Sequence, residues 1–134
     1  MTWLPILVAA LLTFAVGSVW YGVLFKNAWI AATGMTEEKQ RQGNMPLIFG
    51  LSFVCALIAA LFLYNFVWHE GDPEFQTFKH GAFHGAMLSI FVIFPSLATN
   101  ALYEQKGWKY ILINVGYWAV SFMLMGGLLN IWRG

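Results

Sequence analysis

The sequence predicts an all-α fold, a bundle of four transmembrane helices filling residues 1–134 as a single domain. Three observations lead there. The chain is 60% hydrophobic, 18% aromatic and only 10% charged, where soluble domains carry roughly a quarter charged residues. Four apolar segments, at about 3–25, 46–68, 80–101 and 110–132, contain no Asp, Glu, Lys or Arg. Each reaches the ~20 residues that an α-helix needs to cross bilayer hydrocarbon. The spans use most of the length, so the lipid bilayer is the principal partner. A net charge of +1 leaves no basic patch of the kind that binds nucleic acid.

Span one, Trp3 to Phe25, lacks a basic leading region, and its apolar run exceeds the ~7–15 residues of a signal-peptide core, so it reads as an uncleaved helix. Ala10, Thr13, Gly17 and Tyr21 recur along it at helical spacing. In the following loop, Lys26 to Met45, Gly34 can stop a helical extension. Thr36 before Glu37 and Glu38 reads as an N-cap with an acidic first turn, which predicts a short polar surface helix. Span two, Pro46 to Trp68, carries the stripe Ser52, Ala56, Ala60. The lone Cys55 within it cannot form an internal disulfide and reads as a small apolar side chain in a helix core.

Span three follows the loop His69 to Lys79. Gly81, Gly85, Ser89, Val92, Ser96 and Asn100 place small or polar residues along one face. Pro95 removes an amide donor, frees the Phe91 carbonyl and predicts a kink. A short loop, Leu102 to Lys109, leads into span four. Trp3, Trp29, Trp68, Trp108 and Trp132 lie near span ends, where amphipathic rings sit at headgroup depth. Lys26, Lys39, Arg41, Lys106 and Lys109 share one side, against Lys79 and Arg133 on the other. Basic residues of short loops stay cytoplasmic, so both termini should face outward. Lipid supplies no hydrophobic drive between helices, and small-residue faces join them instead. The Gly81/Gly85 and Ser52/Ala56/Ala60 faces therefore suggest a homo-oligomer, with a dimer favoured.

Three stretches are distinctive: GSVWYGVLFKNAW from Gly17 to Trp29, HGAFHG from His80 to Gly85, and TNALYEQKGWKYILINVGYWAVSFMLMGGLLNIW from Thr99 to Trp132. With Trp20-Tyr21, Thr99-Asn100, Asn114 and Met125-Gly126, they resemble the domain of unknown function 1761 family. The resemblance covers nearly the whole chain. It implies a bacterial four-helix protein, multi-pass in the plasma (inner) membrane. It implies no activity and leaves cofactors open.

Two clusters stand out as candidate sites. His80 and His84, spaced i, i+4, share a helix face near the outer end of span three. Imidazoles so placed suit a divalent metal, with His69, Glu70, Asp72 and Glu74 of the middle loop as possible further ligands. The alternative is hydrogen bonding across helices, to Asn65 or Asn130. The second cluster lies towards the inner face: Trp20 and Tyr21 in span one, Thr99 and Asn100 in span three, and Asn114, Tyr117 and Ser121 in span four. Amides in a membrane helix need partners, so this set reads as a polar clamp. The functional alternative is a polar pocket with Trp20 and Tyr21 as walls and Asn100, Asn114 and Tyr117 as hydrogen-bonding groups.

The spans hold none of the charges that build proton relays, ion pumps or voltage sensors. The function indicated is a non-enzymatic membrane protein that binds or passes a small uncharged or lipid-like molecule between spans one, three and four. The competing readings are a metal-dependent membrane enzyme using His80 and His84, and a structural or assembly partner without a ligand.

Overall fold

The computed structural model describes residues 3–67, 74 and 76–132. Four helical segments there are long and apolar enough to cross a membrane: Trp3–Leu24, Met45–Phe66, Phe78–Tyr103 and Trp108–Ile131. Their ends fall within two residues of the predicted spans. Trp68, His69, Glu70, Asp72 and Arg133, to which the sequence assigns anchoring, ligand or orientation roles, lie outside the described residues.

Span one begins as α1 (Trp3–Val19) and ends in a π turn, Trp20–Leu24, closed by the Phe25 amide on the Trp20 carbonyl at 2.8 Å. Phe25 leaves helical dihedrals, and the chain turns into α2 (Lys26–Thr33). Gly34 stops α2 in the left-handed region, φ +73°, with its amide on the Ile30 carbonyl at 2.9 Å. Glycine takes that conformation without a Cβ penalty. The expected surface helix is α3 (Glu37–Gln42), and Thr36 Oγ1 caps it by accepting from the Lys39 amide at 3.1 Å. Asn44 Oδ1 likewise accepts from Leu47 at 3.2 Å to start α4 (Met45–Val67).

Span three is α5 (Phe78–Leu88), a π turn over Ser89–Ile93, and α6 (Phe94–Tyr103). Thr77 Oγ1 caps α5 through the His80 amide at 3.1 Å. The interruption predicted at Pro95 takes the form of this π turn. The Phe94 amide reaches back to the Ser89 carbonyl, and Pro95 then falls in the first turn of α6, where a missing donor costs little. Span four is α7 (Trp108–Ile131).

Helix α7 is the hub of the bundle. Its Met125 and Leu129 are fully buried, in one cluster with Ile6, Ala9 and Ala10 of α1 and Ala56, Ala60 and Leu63 of α4. The closest approach is between α5 and α7. A Cβ at Gly81 would fall on the Gly126 carbonyl, and one at Gly85 on the Phe122 carbonyl. Backbone contact of this kind is how helices gain dispersion energy in a solvent as apolar as themselves. The glycine face of α5 and the Ala56/Ala60 face of α4 are therefore buried inside the chain, whereas Ser52 is exposed. The faces that suggest a dimer in the sequence are occupied by this intramolecular packing.

Candidate functional site

The small buried residues Ala9, Ala10, Ala56 and Ala60 hold α1 and α4 together over one half of their length. Towards the other end Phe14 meets Phe49 and Phe53 with ring centroids 6.1 and 6.2 Å apart. A cavity of about 650 Å³ opens there between α1, α4 and α7. Thr13, Gly17 and Ala56 line its deeper part, Tyr117 and Trp118 of α7 form its back, and Ile48, Phe49 and Leu51 form an exposed rim. Its volume lies within the ~300–1,000 Å³ of ordinary small-molecule sites. Among the described residues no Asp, Glu, Lys, Arg or His lines it.

A polar clamp stands beside the cavity. Trp20 Nε1 donates to the Ile113 carbonyl at 2.8 Å, and Tyr21 OH to Asn114 Oδ1 at 2.6 Å. Tyr117 OH donates to the Thr13 carbonyl at 2.9 Å. The π turn starting at Trp20 accompanies two consecutive residues that both reach α7, at two consecutive α7 positions. The Tyr21 and Tyr117 rings also meet, 5.2 Å between centroids, and Trp29 of α2 packs edge-on against Tyr21 at 5.7 Å.

The clamp joins spans one and four. Span three does not enter it: Thr99 Oγ1 turns back to the Pro95 carbonyl at 2.7 Å, and Asn100 is exposed on α6. Among the expected pocket residues, Tyr21 and Tyr117 line the cavity, while Trp20 and Asn114 stand in the clamp beside it. Ser121 is fully buried on α7, one turn from Tyr117. The cavity thus lies between spans one, two and four rather than one, three and four.

The sequence reading missed span two as a wall. Cys55 is exposed on the cavity surface and does not sit in a helix core. Its i, i+3 spacing from Ser52 already placed it on the side of that residue, and that was the available signal. Phe49 and Trp118 carried no such signal, because an aromatic residue in a span reads the same against lipid, protein or a void.

At the opposite end of the bundle, His80 and His84 do meet. Their Nε2 atoms are 2.8 Å apart and their ring centroids 4.4 Å apart, with the planes inclined at 79°. Both are half-buried, and Phe66 of α4 packs edge-on against His84 at 5.2 Å. Of the amides suggested as their partners, Asn65 Nδ2 donates to the Leu61 carbonyl at 3.0 Å, and Asn130 Nδ2 to the Thr77 carbonyl at 2.8 Å. Among the described residues no third His, Cys, Asp or Glu joins the pair in a metal-holding group, and Glu74 is exposed.

No curated protein and no solved structure matches this chain. The model of a family described as "Protein of unknown function (DUF1761)" matches residues 4–130. That match takes in all four spans, the clamp, the cavity and the histidine pair, and the chain belongs to the DUF1761 family.

Proposed function

We propose that this chain is a non-enzymatic protein of a bacterial plasma membrane, and that it binds or passes a small uncharged or lipid-like molecule in the cavity between spans one, two and four. The observation that carries this reading is a void of about 650 Å³ with walls of Phe14, Phe49, Tyr117 and Trp118 and, among the described residues, no strongly ionising side chain. A charged group taken into such a wall would lose its hydration without compensation, so the buried part of the occupant is neutral. The exposed rim of Ile48, Phe49 and Leu51 favours entry sideways from lipid. Both termini face outward in this proposal, by the excess of basic residues in the first and third loops. That orientation puts the cavity in the inner half of the membrane.

Native mass spectrometry of the protein released from its own membranes tests the reading. The wild type is expected to retain a neutral molecule or lipid, and Ser52→Trp, which fills the cavity, is expected to lose it. Cys55, the single cysteine, supplies a second readout. Its alkylation by a membrane-permeant maleimide should speed up once the bound molecule is stripped by detergent. A wild type carrying no such molecule, or carrying it equally after Ser52→Trp, refutes the reading.

A further inference from the structure

The histidine pair lies apart from the cavity, at the other end of the bundle, and its geometry is unusual for a simple hydrogen bond. With each imidazole centroid about 1.15 Å from its Nε2, a straight N–H···N bond over the same nitrogen separation would hold the centroids about 5.1 Å apart, since donors prefer angles above ~150°. The observed centroid separation is 4.4 Å for nitrogens 2.8 Å apart, so the rings are turned off that line. An ion about 2.0 Å from both nitrogens, subtending an angle near ~90°, is compatible with both separations, and ~2.0 Å is the usual metal–imidazole bond.

We propose that His80 and His84 form a two-imidazole site for a divalent transition ion, with the nitrogens in adjacent (cis) positions of a tetragonal centre. Tetragonal coordination by nitrogen and oxygen is the preference of copper(II) and nickel(II). A tetrahedral zinc ion would need the two nitrogens about 3.3 Å apart, and divalent affinity at nitrogen sites generally peaks at copper, so copper and nickel are the ions expected here ahead of zinc. Both histidines sit on one face of α5, whose first turn is tied down by the Thr77 cap and by Asn130. Phe66 holds the His84 ring from the side. The positions not taken by imidazole are left to water or another oxygen donor. The site is local to this pair and independent of the cavity.

The full chain, prepared without a polyhistidine tag in lipid nanodiscs, is titrated with copper(II), nickel(II) and zinc(II) by calorimetry. One ion per chain is expected, bound more tightly for copper and nickel than for zinc. The copper complex should show electron paramagnetic resonance splitting from imidazole nitrogen. His80→Ala and His84→Ala should each weaken copper binding at least tenfold and remove that splitting, while metal-free melting curves check that each variant folds. Lys79→Ala, which removes a neighbouring cation without touching the ligands, should not weaken binding. No saturable binding by the wild type, zinc bound as tightly as copper, or binding unchanged in both histidine variants overturns the proposal.

Discussion

The indole of Trp20 lies directly on Gly116: a Cβ at residue 116 would stand 2.6 Å from the edge of the six-membered ring. The same indole donates to the carbonyl of Ile113, one turn earlier on α7. A side chain at residue 116 would have to displace the ring from the position in which it makes that bond.

Gly116→Ala should therefore displace Trp20 and destabilise the fold by about 1–3 kcal/mol, combining overpacking with a lost hydrogen bond. Gly50→Ala is the control, because a Cβ there meets nothing within 4 Å. It should be neutral or stabilising by up to ~1 kcal/mol through helix propensity. Unfolding in mixed micelles, followed by circular dichroism, measures both.

Gly81→Ala and Gly85→Ala should each be worse than Gly116→Ala. The added methyl meets main-chain atoms of Gly126 or Phe122, and a backbone carbonyl cannot rotate away as an indole can. Losses at or beyond the upper end of ~1–3 kcal/mol are expected, with α5 pushed off α7. A mild effect at both positions would show that the two helices sit further apart than described.

Tyr21 and Asn114 should couple. Tyr21→Phe and Asn114→Leu, combined in a double-mutant cycle, should give a coupling energy of about 0.6 kcal/mol, and no more than ~1.7, the range found for hydrogen bonds between membrane helices. A value near zero would show that the 2.6 Å contact contributes nothing beyond what each group gains from other partners.

Gln105 ends α6 with φ +61°, and the Lys106 amide closes the turn on the Ala101 carbonyl at 2.8 Å. A residue with a Cβ is strained in that conformation. Gln105→Gly should raise stability by about 0.5–1 kcal/mol, since relief of the left-handed strain outweighs the added entropy of glycine in the unfolded chain. A thermal shift assay reads the change, and a lower melting temperature would contradict the assigned backbone.

What the sequence alone determined was everything set by the contrast between lipid and water or by local backbone chemistry. The four spans follow from charge-free runs long enough for hydrocarbon. The Thr36 cap, the Gly34 stop and the break near Pro95 follow from donors and dihedrals within a few residues. The i, i+4 spacing of His80 and His84 suffices to bring their rings together, because both sit on one helix.

Only the tertiary structure decided which faces meet. Hydropathy separates a span from water, but lipid chains are as apolar as leucine, so no residue in a span records whether it touches lipid or another helix. Gly81 and Gly85 looked equally suited to a second copy of the chain, and it is their fit to the α7 backbone that commits them internally. Asn100 and Asn114 were indistinguishable as amides, until the folding of span one brought Tyr21 to one and not to the other. The cavity, too, lies where Gly17 and Ser18 of α1 stand near Ser52 and Cys55 of α4, with Tyr117 and Trp118 of α7 behind. Small side chains on separate helices leave a common space only when those helices are side by side.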